Sequence, residues 1–307
     1  MNSTKKYIQY SVWILAICAF IYFSAAWYFA GIIVQYDTKS ITWEEQRYSQ
    51  LTIPKQKASD GQLWEIAGKG ILLKAWYFAP RQQSKCGIIF THGHTASHYG
   101  MYKYGPVFQN RDCHLLFYDV RYHGQSGGHC GSYGFHERHD LLAILDFFEQ
   151  QTGLVDKQVG LFGESMGAAI SLQTAAYRPR LAFVIAESPF TSLQAMLLKR
   201  GQELYGPAIR FLLPGALLVA DMRCDANLAD AMPLRYAHRL QMPVLLIHSK
   251  SDELIPWQHS RSIFQAIPHN QKKLVTSDWG AVHARSIDTN YDRIRNEINS
   301  FLDLLKY

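Results

Sequence analysis

The chain has 307 residues, 48% of them hydrophobic and 18% charged, and a formal net charge of +6. That size and balance suit one large globular domain with a sizeable core plus an appendage, and they exclude wholesale disorder. The positive excess is mild and contains no dense Lys/Arg run, so no nucleic-acid partner is expected.

Between Tyr7 and Tyr36 no side chain is charged, and residues 12–34 are almost continuously apolar or aromatic. About 20 residues suffice to cross a bilayer as a helix. Residues 1–36 are therefore read as an N-terminal transmembrane anchor, with Trp13, Tyr22, Trp27 and Tyr28 suited to interfacial levels. A cleaved signal peptide or a buried core helix are the alternatives. Ser24-Ala25-Ala26 offers a small-residue cleavage site, but the apolar run continues through Ile32-Ile33-Val34, which favours an uncleaved anchor. Lys5 and Lys6 precede the span, while Lys39 and Arg47 follow it among Asp37, Glu44 and Glu45. The positive-inside rule then puts the N-terminus in the cytoplasm and the rest of the chain on the periplasmic or extracellular side.

Residues 37–60 read as a polar connecting segment, and residues 61–307 as the main domain. Apolar stretches at 63–66 and 71–78 flank Gly68-Lys69-Gly70 and predict an antiparallel hairpin. Short apolar strands are then predicted near 87–90, 115–118, 159–162, 183–186, 244–247 and 273–275. Helices are predicted near 100–109, 137–150, 166–177, 257–266 and 291–305. Fully apolar strands separated by helices predict an α/β fold with a mostly parallel sheet covered on both faces. Residues 190–240 break the rhythm with two or three apolar helical pieces interrupted at Gly206-Pro207 and Leu213-Pro214-Gly215. They read as a cap over the strand ends, where ligands bind in such sheets. Its apolar character suits an acyl-lined pocket or membrane contact, or else simple packing of the cap on the body. The five cysteines, Cys18, Cys86, Cys113, Cys130 and Cys224, show no zinc spacing. Free thiols are the default reading, with one disulfide open if the domain is exported.

The stretch Gly163-Glu164-Ser165-Met166-Gly167 lies between a predicted strand and a predicted helix. That context lets a tight turn lift a Ser hydroxyl above a sheet at a helix N-terminus. Such a hydroxyl needs a base, and the base an orienting carboxylate. Asp252 in the loop after 244–247 and His283 after the last strand supply both, giving Ser165, Asp252 and His283 as the candidate catalytic set. Backbone N–H groups of His94, in Thr91-His92-Gly93-His94, and of Met166 are the candidate oxyanion hole. Asp119, Arg121 and His123 are read as loop braces, and Glu164 as a hydrogen-bonding residue of the turn. Eight histidines fall between His92 and His139, but they scatter over different predicted elements and no metal site is expected.

These motifs, with Tyr118-Asp119-Val120-Arg121-Tyr122-His123-Gly124-Gln125-Ser126-Gly127-Gly128, Ser132-Tyr133-Gly134-Phe135, Ser188-Pro189-Phe190 and His248 to Pro256, resemble the α/β-hydrolase superfamily. The similarity is to its bacterial membrane-anchored members of the serine aminopeptidase (S33-type) or prolyl-oligopeptidase-like esterase group, over about residues 60–305. The resemblance implies the α/β-hydrolase fold and cleavage of a small-molecule acyl substrate, a carboxylic ester or thioester, through an acyl-enzyme on Ser165, without metal or organic cofactor. A serine peptidase, amidase or acyltransferase would use the same residues, and a non-catalytic binding protein on this scaffold is the remaining class. The sequence does not address oligomeric state.

Overall fold

The computed structural model describes residues 3–48, 61–109 and 111–307. Among the described residues, eight strands form one sheet: β1 (Gln62–Ala67), β2 (Leu72–Phe78), β3 (Gly87–Thr91), β4 (His114–Tyr118), β5 (Val159–Glu164), β6 (Phe183–Glu187), β7 (Val244–Ser249) and β8 (Lys272–Ser277). Their order is β1-β2-β4-β3-β5-β6-β7-β8. The first two strands form the expected hairpin, β2 runs antiparallel to β4, and every later pairing is parallel.

The sheet is buried on both sides because successive side chains of an apolar strand point to opposite faces. Ile89, Leu116, Leu161, Val184 and Leu246 enter one core, and their neighbours Ile88, Phe117, Phe162, Ile185 and Leu245 enter the other. The first core is covered by α3 (Glu137–Thr152), α4 (Met166–Ala175) and the cap. The second is covered by residues 99–108 and by the last long helix, α7 (Tyr291–Leu304).

The cap comprises α5 (Leu193–Tyr205) and α6 (Ile209–Cys224), followed by a short turn Pro233–Ala237. Gly206 breaks the chain with a φ of +81°, as expected, but Pro214 and Gly215 lie inside α6 and do not interrupt it. Packing accounts for this. Leu213, Ala216 and Ala220 are buried, and a Cβ on Gly215 would come within 2.6 Å of the Tyr22 hydroxyl, so glycine admits the neighbouring helix. That neighbour is α1 (Ser3–Val34), 32 residues long and, among the described residues, the one helix long and apolar enough to cross a membrane. Ala26, Ala30, Ile33 and Val34 form its buried stripe, spaced for one helix face.

The connecting segment gains detail, and the reading of the cysteines needs correction. The connecting segment contains α2 (Ile41–Tyr48), whose Glu44 is buried and bonded to the backbone N–H and hydroxyl of Ser97; residues 49–60 lie outside the described residues. Four of the cysteines are paired rather than free, Cys86 with Cys113 and Cys130 with Cys224. Their Cα atoms lie 4.7 and 6.0 Å apart, within disulfide range, across sequence separations that reading the chain linearly does not connect. Cys18 is exposed on α1.

Candidate active site

β5 ends at Glu164 and α4 begins at Met166, so a single residue, Ser165, makes the turn between strand and helix. Its φ of +54° and ψ of −114° lie in a region that costs a non-glycine residue about 1–3 kcal/mol. The flanking glycines make the turn sterically feasible. A Cβ on Gly163 would lie 2.2 Å from the Gly167 carbonyl oxygen, and one on Gly167 would lie 2.0 Å from that of Thr91. The Ser165 N–H donates to the Glu187 carbonyl at the end of β6 (2.8 Å).

The three side chains singled out from distant parts of the chain meet here. His283 Nε2 is 2.7 Å from Ser165 Oγ, and His283 Nδ1 is 2.7 Å from Asp252 Oδ2. With Nδ1–H directed at the carboxylate, Nε2 is left to accept the hydroxyl proton. Asp252 is buried and receives the N–H groups of Leu254 (3.1 Å) and Ile255 (2.9 Å) on its other oxygen. Burial pushes its carboxyl up, but hydrogen bonds from His248 and His283 outweigh that and hold it well below the usual carboxylate range. It is therefore a fixed negative charge facing the imidazole.

The loop after β3 lies against the turn: a Cβ on Gly93 would be 3.3 Å from Ser165 Cβ. His92 braces that loop. Its Nε2 accepts from the Val120 N–H (2.9 Å), leaving Nδ1–H to donate to the Gly93 carbonyl (2.8 Å), and burial lowers its pKa to about 3. The ring of His94 packs on Tyr36 with centroids 3.9 Å apart, and the Tyr36 hydroxyl is 4.0 Å from Met166 Sδ. Met166 is the first residue of α4, where an N–H has no partner within the helix.

The DVRYHGQSGG stretch is architectural, as expected. Asp119 is fully buried and receives the N–H groups of His98 and Gln125 (2.8 Å each). Arg121 pairs with Asp140, with Nε 2.5 Å from Oδ2, and His123 Nε2 receives the Thr95 N–H at 3.2 Å.

Sequence reasoning missed four residues. His248, at the end of β7, places Nε2 2.8 Å from the Ile255 carbonyl and 3.2 Å from Asp252 Oδ2, while Nδ1 lies 2.7 Å from Ser260 Oγ. Beneath Ser165 sits a buried charged cluster. Lys103 Nζ is 2.6 Å from Glu164 and 3.3 Å from the carbonyl of Ala284, the residue after His283. The Tyr104 hydroxyl bridges Glu164 (3.0 Å) and Glu187 (2.5 Å), and the Glu187 carboxylate also receives the Ser286 N–H (3.0 Å). Burial pushes the Glu187 carboxyl up, with the nearby Lys103 opposing. Glu187 thus holds the Ser165 turn by its backbone and the His283 loop by its side chain. The signal available in sequence was the run of polar residues at the ends of apolar strands, which does not reveal partners. Among the described residues no group of His, Cys, Asp and Glu has metal-binding geometry.

A mixed eight-stranded sheet, a strained serine turn at the end of β5 and a Ser–His–Asp array at the strand ends define an α/β-hydrolase. The chain belongs to that superfamily. The family model for serine aminopeptidase, S33, matches residues 82–234. The uncharacterized protein YqkD of Bacillus subtilis (strain 168) is 32% identical over 239 residues, 76% of each chain. The alpha/beta hydrolase domain-containing protein aho-3 of Caenorhabditis elegans is 24% identical over 227 residues, 73% of this chain and 60% of that one. Among solved structures, the Pyrococcus furiosus esterase Pf2001 matches with a TM-score of 0.66 at 22% identity, covering 82% of this chain and 93% of that one. An acylaminoacyl peptidase of Pyrococcus horikoshii matches at 0.59 and 16% identity, covering 80% and 41%. At these identities the two solved structures speak to the fold.

Proposed function

We propose that the protein is a membrane-anchored serine hydrolase that cleaves carboxylic esters or thioesters through an acyl-enzyme. His283 removes the Ser165 proton as Oγ attacks the acyl carbonyl, and Asp252 orients and stabilises the imidazolium so formed. The N–H groups of His94 and Met166 receive the developing oxyanion. The protonated His283 then gives its proton to the departing alcohol or thiol. Water, activated by the same imidazole, releases the carboxylic acid and restores Ser165. The observation that carries this reading is His283 held between Ser165 Oγ and Asp252 at 2.7 Å on each side.

A peptidase is the second reading, favoured by the S33 description and by the acylaminoacyl peptidase neighbour. An aminopeptidase needs a carboxylate for the substrate ammonium. Glu164, Glu187 and Asp252 are instead engaged with Lys103, Tyr104, Ser286, His248 and His283, which supports the ester reading. We read α1 as an uncleaved anchor with the domain on the outer side of the membrane. The two disulfides support an oxidising compartment.

Fluorophosphonate labelling and p-nitrophenyl ester turnover are expected to vanish in Ser165→Ala while its thermal unfolding stays cooperative. Undiminished labelling of that variant would overturn the assignment. Rates on p-nitrophenyl esters against aminoacyl anilides, with an added alcohol acceptor, separate esterase, peptidase and transferase.

A further inference from the structure

The loop that carries the His94 N–H is held from two sides. On its inner side His92 ties it to the Val120 N–H and to the Gly93 carbonyl. On its outer side it is held by residues that precede the sheet. The Lys39 N–H donates to the Thr95 carbonyl at 2.8 Å, and Glu44 accepts the Ser97 N–H at 3.1 Å. Tyr36, just beyond the end of α1, lays its ring on His94 itself. The stretch from Tyr36 to Glu44 is thus a strap across residues 94–97.

Tyr36 is the part of the strap nearest the nucleophile. It is buried, its ring centroid lies 3.9 Å from that of His94 and 5.4 Å from that of His123, and its hydroxyl reaches Met166 Sδ at 4.0 Å. One side chain therefore touches both residues assigned to the oxyanion hole. Burial keeps the His94 ring neutral, with its pKa lowered to about 3, so the ring packs as an aromatic plate rather than as a cation. The body fixes Tyr36 in turn. The Gly131 N–H donates to the Val34 carbonyl (2.9 Å), and the Tyr133 hydroxyl donates to the Ile33 carbonyl (2.8 Å). A Cβ on Gly131 would fall on the Tyr36 hydroxyl, so glycine leaves the room that the phenol fills.

The loop needs such support. Thr95 takes a φ of +62°, which costs a residue other than glycine about 1–3 kcal/mol and persists only where neighbours hold it. Oxyanion donors act only when they already point at the developing charge, and a misplacement of about 1 Å can cost about a hundredfold in rate.

We infer that Tyr36 is a positioning residue of the oxyanion hole: packed on His94 and Met166, it fixes their two N–H donors relative to Ser165, so the segment after the anchor helix completes the active site. This rests on the hydrolase reading of Ser165 and on the assignment of those two donors. Tyr36 acts through its neighbours and not on the substrate.

The full-length protein in phosphatidylcholine vesicles provides the test, with p-nitrophenyl butyrate as substrate and rates expressed per active site titrated with a fluorophosphonate. A trifluoromethyl ketone is the second probe: Ser165 Oγ adds to its carbonyl carbon, His283 takes the hydroxyl proton, and the ketone oxygen becomes an oxyanion in the hole. Tyr36→Ala is expected to lower kcat about tenfold to thirtyfold with KM within about twofold, and to raise the Ki of the ketone by a similar factor. Tyr36→Phe keeps the ring on His94 and gives up only the weak contact with sulfur, so it should stay within about threefold of wild type. Gly131→Ala displaces Tyr36 from the other side. It should lower kcat by itself yet add little to Tyr36→Ala, in which the atoms it would strike are gone. A merely structural role lowers the titre of active sites and leaves kcat per site and Ki unchanged. That result, a Tyr36→Phe as impaired as Tyr36→Ala, or strict additivity with Gly131→Ala overturns the role of Tyr36 alone. A wild-type protein that labels but binds the ketone no better than the corresponding alcohol overturns the oxyanion-hole assignment. Failure of the wild-type protein to label overturns the hydrolase reading itself.

Discussion

Lys103→Met tests the buried cluster beneath the nucleophile turn. Lys103 is almost wholly buried, with Nζ 2.6 Å from Glu164 and 4.0 Å from Asp288. At an effective dielectric of about 20, the shorter contact has a gross Coulomb energy of about 6 kcal/mol, most of it offset by desolvation of the two ions. Asp288 keeps Arg285 at 2.8 Å, but removing the cation takes the ion-pair partner from Glu164, which in buried pairs costs about 3–5 kcal/mol. For a domain of this size that is a fall in Tm of roughly 10 °C. The Ala284 carbonyl also loses its donor (3.3 Å), so the His283 loop loosens and kcat should drop about tenfold. Replacing both partners, Lys103→Met with Glu164→Gln, removes the stranded charge and should recover much of the stability. Urea unfolding of the two single variants and the double variant gives the coupling energy directly. A loss under about 1 kcal/mol for Lys103→Met, or strict additivity in the cycle, means that the pair does not hold this part of the structure.

Other perturbations reach other parts of the fold. Asp252→Asn should keep the fold and lower kcat by about 10⁴, because the imidazole loses its orienting charge; stopped-flow or steady-state ester hydrolysis reads it. Glu44, desolvated against the loop after β3, has its pKa raised from 4.5 to about 7. Its folded form holds the proton more tightly, so the contribution is complete below about pH 4.5 and is lost as pH rises through 7, about 3 kcal/mol in all. Thermal melts from pH 4 to 8 should show that slope, and Glu44→Gln should flatten it. Cys130→Ser should cost about 2–5 kcal/mol, since Cys130 closes a separation of 94 residues, while the same protein under reducing conditions should show no further loss from this bridge. Ser165→Gly should melt higher than Ser165→Ala, because glycine adopts a φ of +54° without strain; equal melting temperatures count against strain at the turn.

The strands and the chemistry-bearing residues were legible because each is written locally. A parallel strand buried on both faces is a short unbroken apolar run, and the serine turn is a five-residue motif between a strand and a helix. Asp252 and His283 follow from chain order and their places after β7 and β8. What sequence concealed depends on partners far away. Lys103, Tyr104 and Glu187 look like ordinary polar residues until β6 is laid beside β5 and the His283 loop folds over them. Cys130 and Cys224 lie in unrelated stretches until α6 crosses the body. Pro214 reads as a helix breaker, yet α6 continues through it because the adjacent Gly215 lets Tyr22 approach and Leu213 and Ala216 are buried. The linker looked purely polar because its contacts with the body run through scattered single residues: Glu44 on Ser97, the Lys39 N–H on the Thr95 carbonyl and Ile41 against the second core.

The C-terminal end of α6 is tied to the body by the Cys130–Cys224 bridge and by His136 on the Cys224 carbonyl (2.9 Å), and to the residue after α1 by Arg223 on Gln35 (3.0 Å). Its opposite end is joined to α1 through Tyr22. A helix clamped in this manner does not swing aside as a hinged door does. With the cap helix held in this way, progress curves are expected to begin at full velocity, with no lag while a lid opens.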